Sequence, residues 1–178
     1  MKNISDFLIL DTETTGLDDN AEVVELSIID NNSNIVFNKL IKPINPIPLE
    51  AQRIHGITNE MVADELPLSS YIDEIEDKLS GKPLIIYNAP YDIRLINQSM
   101  SLAGKPIDIE FVPSEILCLM RHYASIRKTP NPKYGGEYRW HSLTNACEYE
   151  GIEVTNAHRA LGDCMMTLAL LQKIIERY

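Results

Sequence analysis

The apolar run Phe7-Leu8-Ile9-Leu10 stops on a carboxylate, Asp11, and a second carboxylate, Glu13, follows two residues later. A short uninterrupted apolar run with polar ends reads as a buried strand. Side chains alternate along a strand, so Asp11 and Glu13 project to the same side. Two close like charges at the end of a buried strand raise each other's cost of ionisation unless a cation neutralises them. From these residues alone a metal site and a solvated turn through Thr14-Thr15-Gly16 and Asp18-Asp19 stand level.

The pattern that follows is of α/β kind. Residues 6–11, 22–29 and 34–41 read as three strands, the last with Ile35, Phe37, Lys39 and Ile41 alternating against Val36, Asn38 and Leu40, which gives an antiparallel meander. Pro43, Pro46 and Pro48 then remove three backbone donors, so this stretch is an extended connection. Leu49–His55 reads as a short helix closed by Gly56, and Ser70–Ser80 as a longer one with Ile72, Ile75 and Leu79 inward and Gly81 as its stop. Pro83–Tyr87 reads as a strand that turns at Asn88-Ala89-Pro90 into a helix ending near Ala103. Residues 108–112 read as a final strand, 114–124 as a helix, and Ser142 caps another that ends at Gly151. The last helix carries Leu161, Cys164, Met165, Leu168, Leu171 and Ile175 as its apolar stripe.

At 178 residues, with 44% hydrophobic and 24% charged, the chain fits one globular domain, 1–178, and not a disordered, collagenous or coiled-coil one. No apolar run approaches a membrane span, and the N-terminus is too short and too acidic for a signal peptide, so no membrane partner and a cytoplasmic location are expected. Cys118, Cys147 and Cys164 are odd in number and lack paired spacing, which favours reduced thiols over a disulfide framework or a zinc site. A net charge of -10 argues against coating long stretches of nucleic acid, although it leaves room for a small catalytic contact. Residues 121–139 oppose that balance with a local +4, which leaves -14 for the rest.

Three further residues sit where chemistry is plausible. Asp92 falls in the first turn of the helix after strand 83–87, at the strand end where open α/β sheets bind ligands; helix-dipole complementation alone also explains it. Asp163 lies inside the terminal helix beside Leu161, Cys164 and Met165, where a buried charge needs a partner or a metal. His158 precedes it by five residues, about 140° off the same helical face, so it must stand in the loop or first turn to share a site with Asp163. Tyr134, Tyr138 and Trp140 interleave with Lys133 and Arg139, which fits either a base-stacking platform or a loop pinned by its aromatics.

Taken in order, Asp11-Thr12-Glu13-Thr14-Thr15-Gly16, Tyr87-Asn88-Ala89-Pro90-Tyr91-Asp92 and His158-Arg159-Ala160-Leu161-Gly162-Asp163 resemble the three motifs of the DnaQ-like 3′–5′ exonucleases, in the subclass with a histidine in the third motif. Ile54-His55-Gly56-Ile57-Thr58 looks like the family's loop between the first two. With Met61-Val62-Ala63-Asp64 and Ala160–Cys164, it is most similar to the exonuclease X branch. Tyr87 departs from the histidine that many members carry there.

The resemblance implies an α/β, RNase H-like fold, a central mixed five-stranded sheet with helices on both faces. It implies that Asp11, Glu13, Asp92 and Asp163 converge on two divalent ions, Mg²⁺ or Mn²⁺, hard cations that take oxygen ligands, and that His158 is the general base. Thr14, Thr15 and Gly16 would meet the terminal sugar and Leu17 its base, with His55 and Asn88 as further substrate contacts. The implied reaction is hydrolysis at DNA 3′ ends, single-stranded or frayed, releasing nucleoside 5′-monophosphates in repair or proofreading. A DNA polymerase or repair protein is the implied partner, and the chain would be a monomer or homodimer. Within the enzyme class the alternative is a 3′–5′ exoribonuclease of the oligoribonuclease or RNase T type. Outside it stand a non-catalytic polymerase-docking module of the same fold and an acidic, metal-stabilised domain without nucleic-acid chemistry. The intact set of five catalytic positions counts against the docking module.

Overall fold

The computed structural model describes residues 6–131 and 138–177. The three strands of the meander are β1 (Leu8–Thr14), β2 (Val23–Asp30) and β3 (Ile35–Leu40), paired antiparallel in chain order. Behind the proline-rich connection come α1 (Leu49–His55), α2 (Asn59–Val62) and α3 (Ile72–Leu79). Gly56 closes α1 at φ 73°, a left-handed stop that its missing Cβ permits. The buried Glu22 carboxylate accepts from the Ile44 and Asn45 backbone N–H groups, which gives the connection partners for donors that no strand supplies.

β4 (Pro83–Ile86) then pairs parallel to β1 and leads into α4 (Ala89–Leu102). The fifth strand, β5 (Glu115–Cys118), adds parallel to β4. α5 (Leu119–Arg127), α6 (Leu143–Tyr149) and α7 (Ala160–Arg177) complete the described chain. Among the described residues the strands form one mixed five-stranded sheet of order β3-β2-β1-β4-β5.

Strand alternation divides the core between the two faces of this sheet. Leu8, Leu10, Leu26, Ile28, Leu84 and Ile86 pack on one side with residues of α3 and α4. Ile9, Ile29 and Ile85 pack on the other with residues of α5, α6 and α7. The expected RNase H-like layering, helices on both faces, is therefore present.

Two expected elements are displaced. Residues 108–112 are not a strand: Ile109–Phe111 make a 3₁₀ turn, with the Ile109 N–H donating to Asn97 Oδ1 and Phe111 exposed. The strand begins only after Pro113, and the helix expected from 114 begins at Leu119. The α7 stripe is also broader than read: Cys164, Leu168 and Leu171 are buried, but so are Met166, Leu170 and Ile174, whereas Ile175 is exposed. Because α7 packs on β1 and β2 and also meets α5 and α6, more than one narrow stripe is covered. Cys147 and Cys164 are free and buried, and Cys118 is free and half-buried. No helix among the described residues is long and apolar enough to cross a membrane.

Candidate active site

The strand order reverses at β1, which carries the antiparallel meander on one side and the parallel pair on the other. A crevice at the carboxyl end of such a switch point is the usual ligand site of an open α/β sheet. Asp11 and Glu13 stand at that end of β1, on the same face as Ile9, the face that α7 covers. Asp163, in the first turn of α7, meets them there: carboxylate oxygens of Asp11, Glu13 and Asp163 lie within 4.8 Å of one another.

Asp92 comes from α4, on the opposite face of the sheet, and is 3% exposed. Thr12, whose side chain alternates to that face, holds it: Asp92 Oδ1 accepts from the Thr12 N–H at 3.1 Å and from its hydroxyl at 2.8 Å. All four acids line one cavity of about 160 Å³ with Tyr87, Asn88, Tyr91 and Leu143. The four expected acids are thus gathered as a tight triple with Asp92 entering from the other side.

Burial dominates the electrostatics. It raises the Asp11 carboxyl well above its ordinary range, and the charges of Asp92, Asp163 and Glu13 push it further. Glu13 is pushed up to about 8 by burial and then by Asp163, Glu25 and Asp92. Asp92 is raised to about 7 by burial, although its bonds from Thr12 pull the other way. Asp163 is raised by burial and eased by the His158 N–H. Among the described residues, none of the four is ion-paired with a Lys or Arg. An all-oxygen donor set that repels itself, with no such ion pair to neutralise it, suits a hard divalent cation.

His158 stands in the turn before α7, exposed and in the left-handed region at φ 63°, and its N–H donates to Asp163 Oδ1 at 3.2 Å. Its placement off the helix agrees with the angular argument from sequence. The turn is held against α7 by a close approach: a Cβ on Gly162 would lie 2.3 Å from the Asn156 carbonyl oxygen. Beside this cluster lies a buried acid that the sequence motifs do not single out. Glu25, on β2 directly opposite Glu13, accepts from the Arg159 guanidinium and from the Ala160 N–H. Its signal was present in the sequence as a carboxylate inside the apolar strand Val23-Val24-Glu25-Leu26.

The expected substrate contacts fall in two places. Asn88 lines the acidic cavity. Thr14, Thr15, Gly16, Leu17 and His55 line a neighbouring cleft of about 500 Å³, and Glu13 and Tyr91 belong to both. The threonine hydroxyls are already engaged: Thr14 bonds the Tyr91 hydroxyl at 2.6 Å, and Thr15 Oγ1 accepts from the Glu22 N–H. His55 is buried, and burial lowers its pKa; its Nδ1 accepts from the Ile57 N–H, which leaves the proton of the neutral ring on Nε2. Leu17 is 78% exposed at the cleft, on a loop clamped by α4 through Arg94 to the Leu17 carbonyl and Gln98 to the Asp18 and Ala21 carbonyls.

Of the basic, aromatic segment, Lys133 and Tyr134 lie outside the described residues. Tyr138 bridges Pro130, and the Arg139 N–H donates to the Thr129 carbonyl, so the backbone there is fastened. Trp140 remains exposed, with the Arg121 guanidinium 5.8 Å from its ring.

The comparisons agree with this geometry. Residues 8–171 match the RNase T-type exonuclease family. The chain belongs to the DnaQ-like 3′–5′ exonucleases. An uncharacterized exonuclease of Escherichia phage 186 is 42% identical over 172 residues, covering 95% of this chain and 88% of that one. The DNA polymerase III subunit epsilon of Rickettsia conorii is 38% identical over 111 residues, 59% of this chain and 48% of the subunit, so the match spans about half of that relative's length. Exonuclease X, solved in complex with 5′ overhanging duplex DNA, superposes with a TM-score of 0.68 at 29% identity, covering 96% and 91% of the two chains. The exonuclease reading displaces both the non-catalytic module and the merely metal-stabilised domain. The family generally uses divalent metals, and the Asp11, Glu13 and Asp163 cluster is suited to them.

Proposed function

We propose that this exonuclease hydrolyses the terminal phosphodiester bond at single-stranded or frayed DNA 3′ ends and releases nucleoside 5′-monophosphates. The convergence of Asp11, Glu13 and Asp163 within 4.8 Å at the sheet's switch point carries the reading. Those three acids and Asp92 would hold two divalent ions, Mg²⁺ or Mn²⁺, which when bound supply positive charge to the attacking and leaving oxygens of an in-line displacement.

The remaining work falls to the chain. Thr12 keeps Asp92 facing the cavity. His158, on the exposed turn beside Asp163, accepts the proton of the attacking water as general base. The cleft beside the cavity takes the terminal nucleoside, with Leu17 against the base, His55 and the Gly16 backbone near the sugar, and Asn88 reaching it from the cavity side. The acidic balance of the chain is then no obstacle, because only a few nucleotides need be held. DNA is favoured over RNA by the relatives above 25% identity, which include a DNA polymerase subunit and a nuclease solved on duplex DNA. By the same token, a polymerase or repair complex is the setting we propose.

Matched 5′-labelled single-stranded DNA and RNA oligonucleotides, incubated with Mg²⁺, Mn²⁺ or EDTA, test the proposal. The expected result is a metal-dependent ladder shortening from the 3′ end, faster on DNA and lost in Asp11→Ala. Faster loss of the RNA would reassign the substrate, and no ladder on either strand would sink the reading.

A further inference from the structure

Glu25 and Glu13 are direct cross-strand partners on β2 and β1, a placement that sets like charges against each other on the face that α7 covers. The chain treats the two differently. Glu13 is left without an ion pair among the described residues, whereas Glu25 is enclosed, its side chain 4% exposed. Glu25 Oε1 accepts from Arg159 Nη2 at 2.6 Å, and Oε2 accepts from Arg159 Nε at 3.1 Å and from the Ala160 N–H at 2.9 Å. Capping the first N–H of α7 needs only the last of these bonds. The two-pronged grip on Arg159 does something else: it immobilises the residue that directly follows His158.

The turn so gripped is one the backbone would not adopt by itself. Asn156 and His158 are both at positive φ, 52° and 63°, although neither is glycine. Such conformations persist only where the surroundings over-determine them. The surroundings here are the Asn156 carbonyl resting on Gly162, the His158 N–H on Asp163, and the Glu25–Arg159 pair on the far side.

We propose that Glu25 and Arg159 are positioning residues of the exonuclease: their pair, in which Glu25 is buried and Arg159 half-buried, holds the turn that presents His158 beside Asp163, and it acts on turnover through His158. The proposal rests on the base role given to His158 above. Ion pairs contribute little net stability on average, whether exposed or buried, so a two-pronged pair beside a catalytic turn is better explained by geometry than by stability. Lysine carries the charge but not the planar fork. Arg159→Lys therefore keeps Glu25 neutralised while loosening the grip, and Glu25→Gln loosens it from the other partner.

The experiment measures kcat, KM and Tm with Mn²⁺ on a 5′-labelled single-stranded DNA for Arg159→Lys, Glu25→Gln, His158→Ala and the His158→Ala/Arg159→Lys double variant. The pair is expected to act as supporting groups of metal sites do, so kcat of Arg159→Lys falls roughly 10–100-fold with KM and Tm near those of the wild type. In the His158→Ala background the same substitution should change kcat by less than about twofold, since groups that act as a unit do not add. If Glu25→Gln fails to fold, Arg159→Lys carries the test by itself. Full kcat in Arg159→Lys, or a further loss of the same size in the His158→Ala background, overturns the proposal alone. A wild-type rate in His158→Ala overturns it together with the reading of His158 on which it rests.

Discussion

Thr12 and Asp11 are neighbours in sequence and face opposite sides of the sheet, which lets one strand end serve two helices. Asp11 meets the acid of α7, and Thr12 fixes the acid of α4 through its N–H and its hydroxyl. Thr12→Val keeps the shape and the backbone bond and removes the hydroxyl bond to Asp92. Outer-sphere partners of this kind are worth roughly 10–100-fold in activity or metal affinity. We expect a rate loss in that range and a higher Mn²⁺ requirement, read by titrating the metal at fixed substrate; an unchanged titration would mean that Asp92 is held well enough without the hydroxyl. The pairing of Asp11 with Glu13 was legible in the sequence because the two-residue strand period is local. The hold of Thr12 on Asp92 was not, because it joins residues 80 positions apart that only the meeting of β1 with α4 brings together.

At the scale of elements, α7 and the turn before it form one device. Gly162 is needed for a close approach and not for its φ, since an added Cβ would lie 2.3 Å from the Asn156 carbonyl oxygen and 3.0 Å from its carbon. Both neighbours are backbone, so Gly162→Ala must push the turn away. The expected outcome is a destabilisation of roughly 1–3 kcal/mol, the usual range for overpacking, with nuclease activity falling further than stability because His158 moves with the turn. Thermal melts beside single-turnover rates check this, and a variant with wild-type rates would show that the turn tolerates displacement. The elements themselves are legible in the sequence wherever punctuation is local: Gly56 closes α1, and Ser142 caps α6 by accepting from the Asn145 N–H. They are not legible where partners decide. Ile116-Leu117 is apolar enough for strand or helix, and Cys118 provides no side-chain cap to mark where α5 starts. Only the parallel pairing with β4 makes Glu115–Cys118 a strand. The broad buried arc of α7 likewise reflects a sheet and two helices closing on it, which a single helical period does not encode.

For the molecule as a whole, four carboxylates gathered at one end of the sheet make stability depend on pH in an unusual direction. Asp11, Glu13, Asp92 and Asp163 all titrate above their ordinary range when folded, with Glu13 near 8 and Asp92 near 7. In the unfolded chain the same groups lose their protons near pH 4. Between those limits the folded state binds more protons than the unfolded one, so stability is greatest at the acidic end of the window and falls as pH rises through it. Asp30 and Glu60 shift the opposite way, but they lie in water, where screening keeps their contribution small; burial lowers His55, His122 and His141, which opposes the trend only below their ordinary pKa of about 6.5. In EDTA the Tm is therefore expected to drop between pH 5 and pH 8 by on the order of 5–10 °C, at roughly 2–4 °C per kcal/mol for a chain of this size. Mg²⁺ or Mn²⁺ binds the folded, ionised form and should restore most of that loss at pH 8 by mass action, while changing little at pH 5, where protons already neutralise the cluster. Asp11→Asn removes one of the repelling charges, so at pH 8 in EDTA it should melt above the wild type even as it loses the metal-induced gain. A wild-type Tm that rises from pH 5 to pH 8 in chelator would mean that the acids are relieved by contacts within the chain, and the site would then have no electrostatic need of a cation.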